Sequence, residues 1–414
     1  MSRAVIHDPY VIVCTSWAQW ASRHNMLHGL CVINENPENP TQFRWAMMNK
    51  EIEKVKEYKY LGVVIENKGL EKENNMIRMK AERQFGIMNA QMHLRVNKYE
   101  TTRGLWKGVA VPTIMYGAEI IDIGAKEVQG LEVVQNKAAR VGLRANRYAP
   151  TETLRGDMGW SSFEERVDKA KTKYRMRLEV MEENRWPKRV LQWTQRKSKT
   201  IKDTNRRLKK LDMTIRKEGD REVIKVGERV IQRNEKTINV HIEKLAKQKG
   251  LEKWKRGMER KESLTVYRNK EKPQRENGYD GTWQASPLFK ARSNTLEVKE
   301  RLNRWKGEDG LCEKCLRTGR NVPETLDHVI TECTWYDNIR QDFSDQMSEK
   351  LGIEKWREWK EDNGGLKYIL GFQNEEPSVV NETKKFLAKI WNRRKEVGNQ
   401  EVAHADHPYG RALY

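Results

Sequence analysis

The sequence predicts a mainly α protein: a small β element, a helical bundle, a long basic helical segment, a small Cys-His module and C-terminal helices. Three observations carry this. Apolar residues recur at helical spacing over most of residues 71–181. β-Branched and aromatic residues concentrate in one short run, Tyr58 to Ile65. Proline is absent between Pro187 and Pro273, where Lys and Arg dominate, so helices can run there unbroken.

Residues 1–50 are weakly patterned, with an apolar tetrad Val11-Ile-Val-Cys14, then Trp17, Trp20 and Met26, and a loop from Asn34 to Pro40. The run Tyr58-Lys-Tyr-Leu-Gly-Val-Val-Ile65 predicts a strand, ended by the turn Asn67-Lys-Gly69. Met76, Met79, Arg83, Ile87, Ala90 and Leu94 predict a helix over 71–98. Thr101 is expected to cap the next helix, which Pro112 interrupts. Val128, Leu131, Val134 and Ala138 predict a helix over 125–143. The chain is expected to turn at Gly156 and Gly159, and Val167, Tyr174, Leu178 and Met181 mark a helix ending before Pro187. In the basic segment, Leu208-Leu211-Ile215 and Ile238-Ile242-Leu245 predict helices with one narrow apolar stripe. Two C-terminal helices, Leu366 to Gly371 and Val379 to Trp391, are expected to pack on Trp356 or Trp359, with a disordered tail from Lys395.

The charge is distributed unevenly. The 414 residues hold 80 Lys and Arg against 59 Asp and Glu, a formal net charge of +21. Residues 185–275 alone hold 30 cations against 12 carboxylates, so this stretch carries +18 of the total. Such a field calls for a polyanionic partner, a nucleic acid or an anionic membrane surface. No run approaches the roughly 18 apolar residues of a membrane span. The one-signed bias favours a phosphate-contacting arm with Arg206, Arg207, Lys209 and Lys210 at its centre. Trp186, Trp193, Trp254 and Tyr267 interleave with the cations, either to stack on single-stranded bases or to form the segment's core.

Five cysteines are too few and too unevenly placed for a disulfide framework, which points to a reducing, intracellular compartment, nucleus and/or cytoplasm. Three of them belong to the strongest chemical signal, Cys312-x2-Cys315-x12-His328-x4-Cys333. Three thiolates and an imidazole form a tetrahedral zinc set, and Cys-x2-Cys lets one turn present two of them. With four protein donors no position is left for water, so the zinc is expected to be structural. Pro323 and Glu324 suit a helix start, but His328 and Cys333 would lie about 140° apart on an ideal helix. Cys333 is therefore expected at or beyond the helix end. Phosphate-loop, dinucleotide, nucleophile-elbow and His-Glu-x-x-His motifs are all absent.

Lys56-Glu-Tyr-Lys-Tyr-Leu-Gly-Val63, Val111-Pro-Thr-Ile-Met-Tyr-Gly-Ala-Glu119, Leu131-Glu-Val-Val-Gln-Asn-Lys-Ala-Ala-Arg140 and Phe289-Lys-Ala-Arg-Ser-Asn-Thr-Leu296, followed by Arg304-Trp305 and the Cys-His cluster, resemble the C-terminal portion of reverse transcriptases from non-LTR (LINE-type) retrotransposons. The resemblance implies a truncated palm remnant over 1–66, a thumb-like helical domain over 67–184 and a basic helical arm over 185–290. It further implies a Cys-Cys-His-Cys zinc knuckle over 291–345, which the residue pattern follows with C-terminal helices over 346–394 and a disordered tail over 395–414. It also implies RNA and/or DNA as partners, with Lys137, Arg140, Arg144 and Arg147 facing the duplex. A polymerase of this family needs paired carboxylates on Mg²⁺, two of them in a Tyr-x-Asp-Asp turn. None of the 15 Asp residues neighbours another. The expectation is thus a nucleic-acid-binding fragment without catalytic residues, unable to polymerise alone. The alternative is part of an RNA-directed DNA polymerase whose palm lies upstream, in cis or in trans, with Mg²⁺ only once joined to it.

Overall fold

The fold was obtained as a computed structural model. It describes short pieces within residues 12–66 and then residues 71–404, apart from 93–95, 195–198, 219–220, 308, 362–364 and 373–376. Most of the expected palm remnant and residues 405–414 of the expected tail therefore lie outside the described residues.

The chain opens with three small antiparallel pairs: β1 (Ile12–Val13) with β2 (Cys31–Val32), β3 (Ala46–Met47) with β4 (Lys50–Glu51), and β5 (Glu57–Tyr60) with β6 (Val63–Glu66). The predicted strand over 58–65 is in fact the β5–β6 hairpin, because Gly62 takes φ +82° at its turn, a conformation open to glycine without steric cost. Helices then dominate: α1 (Glu71–Gln91), α2 (Lys98–Leu105), α3 (Val111–Met115), α4 (Ala125–Leu143), α5 (Thr151–Met158), α6 (Phe163–Val180), α7 (Trp186–Thr194) and α8 (Lys199–Lys210). Asn97, not Thr101, caps α2, its side chain accepting from the N–H groups of Tyr99 and Glu100. A π turn over Trp106–Ala110 precedes Pro112, which sits in the first turn of α3 where its missing N–H costs nothing. Gly159 ends α5 at φ +63°, as expected of a C-terminal glycine. Gly156 does not turn the chain: it lies inside α5, where any Cβ would strike the Tyr267 hydroxyl and the Trp254 ring.

The basic segment departs most from its helical expectation. After α8 comes a three-stranded antiparallel sheet, β7 (Met213–Glu218), β8 (Arg221–Val226) and β9 (Arg229–Ile231), and only then α9 (Glu235–Glu259). Ile215 belongs to a strand facing Ile224, so its spacing from Leu211 was not a helical one. The remaining helices are α10 (Ala285–Arg292), α11 (Lys299–Lys306), α12 (Glu313–Leu316), α13 (Asp337–Leu351), α14 (Ile353–Glu361), α15 (Leu366–Ile369) and α16 (Pro377–His404). α16 continues nine residues past Lys395, to His404, where a disordered tail was expected.

The chain divides into two compact units. The first comprises residues 1–86, 109–134 and 163–246. Its core gathers Leu208 and Leu211 of α8, Met213 and Ile224 of the sheet, Ile238, Ile242 and Ala246 of α9, and Met176 of α6. The second unit comprises residues 87–108, 135–162 and 247–414. Here Trp254, Met258, Leu264 and Tyr267 form one cluster. Trp106 stacks on Trp160 with centroids 5.8 Å apart, and Phe343 stacks on Phe386 at 4.3 Å. Trp356 and Trp359 are buried as expected, the former edge-on to Phe343 and the latter stacked on Tyr368.

Candidate metal centre

The four residues of the Cys-His motif converge. Cys312 stands just before α12, its N–H bonded to the Val322 carbonyl beside an isolated antiparallel bridge between Leu311 and Pro323. α12 is a single turn, and it brings Cys315 back to the side of Cys312. Gly319 then reverses the chain at φ +76°, with the N–H groups of Thr318 and Arg320 both donating to the Cys315 carbonyl. The next helical turn starts at Leu326, later than Pro323 and Glu324 suggest, because Thr325 Oγ1 accepts from the His328 N–H and Pro323 is held in the bridge. Residues His328–Glu332 form a π turn, closed by a 2.7 Å bond from the Cys333 N–H to the His328 carbonyl. That five-residue closure returns Cys333 to the His328 side, and Cys333 itself is extended, past the helix end as its spacing requires.

The donor geometry fits a tetrahedral ion. All four ligand atoms lie within 4.8 Å of one another and all four residues are buried. Cys312 Sγ is 3.8 Å from Cys333 Sγ, Cys315 Sγ 4.0 Å from Cys333 Sγ, and Cys315 Sγ 3.4 Å from His328 Nε2. A tetrahedron with bonds of about 2.3 Å to sulfur has edges of about 3.8 Å, whereas a disulfide needs about 2.05 Å. These thiols are therefore placed as co-ligands, and the cluster can hold a metal ion. The contact with Cys333 draws the Cys312 thiol down to about 4, the same contact pushes Cys333 up, and burial pushes Cys315 up. Thiols ligate as thiolates, so a divalent ion would let all three ionise.

The surrounding residues orient the donors. Glu332 Oε2 lies 3.4 Å from His328 Nδ1, leaving Nε2 to face the thiols. Arg320 approaches Cys315 Sγ at 3.8 Å and also donates to Thr334 Oγ1 at 2.7 Å, while Arg340 donates to the Cys333 carbonyl. Trp335 is covered by Lys314 and Arg393, 4.9 and 5.4 Å from its ring centre. Glu324 anchors the module to α11 and α16, accepting from the Lys299 N–H at 2.9 Å and from Arg394 Nε at 3.1 Å. Glu332 follows His328 by one helical turn, so spacing alone could have found it; Arg320, Arg340 and Arg394 carried no sequence signal.

The expected nucleic-acid residues are placed less uniformly. Arg140 is half-buried near the end of α4, and Arg144, just beyond it, is exposed with φ +51°. Lys137 lies a turn earlier on α4, and Arg147 folds over the Tyr148 ring at 4.7 Å. In the basic segment Arg206 and Lys209 face solvent. Arg207 and Lys210 are tied to carboxylates: Arg207, mostly covered, is paired with Asp168 and Asp203 and donates to the Ile123 carbonyl, and Lys210, still exposed, binds Glu164 and Asp168. Of the four aromatics, Trp254 and Tyr267 are core, whereas Trp186 and Trp193 are half-exposed on α7, edge to face at 6.1 Å, with Arg189 over Trp186.

A cluster that sequence reasoning missed surrounds the buried Asp157. Its carboxylate accepts from Tyr267 and Tyr279, with Lys270 and Arg292 each at 3.5 Å, and its carbonyl accepts from Tyr99 at 2.6 Å. Burial alone would raise the Asp157 pKa, but Arg292 and Lys270 outweigh it and hold the carboxyl below its usual range. No helix among the described residues is long and apolar enough to cross a membrane. No protein-family model, curated protein or solved structure matches the chain.

Proposed function

We propose that this chain is a zinc-stabilised nucleic-acid-binding protein, and that it corresponds to the thumb and zinc-knuckle portion of a non-LTR retrotransposon reverse transcriptase without its catalytic carboxylates. The observation that carries the reading is the closed four-donor cluster on a chain of net charge +21. Three thiolates and an imidazole at tetrahedral spacing suit Zn²⁺, and four protein donors make it structural, since no position is open to a reacting water. RNA or DNA is the polyanion favoured over a membrane surface because α7 offers two exposed Trp rings beside Arg189, where unpaired bases can stack.

Two measurements test it. Protein purified without chelator should contain about one zinc per chain by elemental analysis; absence of zinc overturns the metal assignment. Binding of a labelled single strand should weaken by about 10³–10⁵-fold between 50 and 200 mM salt if about 6–10 phosphates are engaged. Salt-independent or undetectable binding overturns the nucleic-acid assignment. On primed RNA with Mg²⁺ the chain should bind without extending the primer.

A further inference from the structure

The end of α4 and the residue after it read Lys137-Ala-Ala-Arg-Val-Gly-Leu-Arg144, and the small residues bring this helix close to α2. A Cβ at Gly142 would stand 3.0 Å from Thr102 Cβ, so only glycine lets the two helices approach so closely. Lys98, one turn before Thr102 on α2, thereby comes to line one cavity with Arg140 and Arg144. The cavity measures about 400 Å³. Asn89 and Met92 from the end of α1 complete its polar and apolar walls.

Its electrostatics are one-sided. Three cations line it and no carboxylate does, and among the described residues no carboxylate is paired with Lys98, Arg140 or Arg144. Arg140 Nε is buried without a hydrogen-bond partner, and its guanidinium reaches only the Ala149 carbonyl, at a long 3.5 Å. A buried, unsatisfied charged donor is costly, and three cations around one concavity repel each other until an anion enters. Arg144 spends one donor on the Gly281 carbonyl at 2.9 Å and retains the rest of its fork. Fork-shaped guanidinium donors beside a lysine match the tetrahedral oxygens of a phosphoryl group.

We propose that this cavity binds a phosphoryl group, with Lys98, Arg140 and Arg144 as its ligands. The volume exceeds that of one phosphate, and the apolar side chains of Met92, Val141 and Ala145 suit the sugar of a phosphate ester. Free sugar phosphates and the backbone of a polynucleotide share this chemistry. Arg140 and Arg144 are shared with the nucleic-acid reading, but the cavity's geometry carries the proposal without it.

The test is calorimetric titration of the full chain at constant ionic strength with inorganic phosphate, ribose 5-phosphate and an abasic oligodeoxynucleotide. Wild-type protein should bind ribose 5-phosphate saturably at one site. Lys98→Gln and Arg144→Gln should each weaken it by about tenfold, the worth of one charge-assisted hydrogen bond, and Arg357→Gln, an exposed cation on α14, should not. Both substituted positions touch solvent, and near-ultraviolet circular dichroism of the buried Trp residues checks that each variant is folded. If the abasic strand binds and weakens in step with ribose 5-phosphate, the source is a polynucleotide backbone; if only the small ligands bind, it is a free phosphate ester. Either supports the site. Saturable binding of none of the three by wild type, or unchanged affinity in folded Lys98→Gln and Arg144→Gln, overturns it, and neither result touches the salt dependence by which nucleic-acid binding is judged.

Discussion

The Cys-His module and the basic segment 185–275 were both marked by composition, yet they relate to their structures in opposite ways. In the module every marked residue does what its type suggests: four soft or borderline donors meet within 4.8 Å. In the basic segment, many of the marked residues turn inward. Lys188 is buried against Glu179, Arg207 against Asp168 and Asp203, and Lys270 against Asp157 and Glu276. Metal ligation demands particular atoms at particular distances, so spacing is diagnostic. A cation serves a phosphate or a carboxylate equally well, so a charge run does not say which it serves until the carboxylates are placed.

The largest effect should separate the two regions outright. Cys315→Ser removes one of four donors, and because structural zinc supplies on the order of 10 kcal/mol to so small a unit, hydrogen exchange should rise over residues 311–336. Exchange in the Leu208–Ile242 core should stay slow; protection lost equally in both would mean that the module is not an independent metal-dependent unit.

Next comes the inward role of the basic segment. Asp157→Asn leaves Lys270 and Arg292 buried with Glu276 as their remaining carboxylate, and should cost about 3 kcal/mol in denaturant unfolding. The pH dependence has a defined sign. The folded Asp157 pKa lies below its unfolded value, so its contribution is present above about pH 4 and fades as pH falls through the folded pKa. The acid-side loss of stability should therefore shrink in Asp157→Asn, and an unchanged profile would show that Asp157 does not report on the cluster.

Glu332→Gln should lower metal affinity by about 10- to 100-fold in chelator competition, since it weakens the contact that orients His328. Equal affinity would place the orienting role on the π turn alone. The smallest effect on folding belongs to Arg206→Gln with Lys209→Gln, which should change stability by no more than about 0.5 kcal/mol yet flatten the salt slope by about one to two units. Arg207→Gln should do the reverse, destabilising the first unit with little change in slope. If the two variants behave alike, exposure does not distinguish structural cations from ligand-binding ones.

Chain pattern determined much of this molecule. α4 spans the residues its apolar spacing marks, Leu131, Val134 and Ala138 being fully buried, and the Cys-His spacing named all four members of the cluster that can hold a metal ion. Cys333 was even placed beyond its helix end by arithmetic on a helical turn. These features are local: a period or a ligand spacing is complete within about 20 residues of chain. What only tertiary structure decided involves partners distant in sequence. Ile215 became a strand residue because Ile224 lies opposite it. Trp254 and Tyr267 became core while Trp186 and Trp193 stayed at the surface, although all four stood among the same cations. Asp157 gained its cluster from residues more than 100 positions away, Tyr267, Tyr279 and Lys270 among them. Apolar period and donor spacing are written in neighbouring residues, whereas the fate of a charge or an aromatic ring depends on which groups folding brings to it, and no local pattern encodes that.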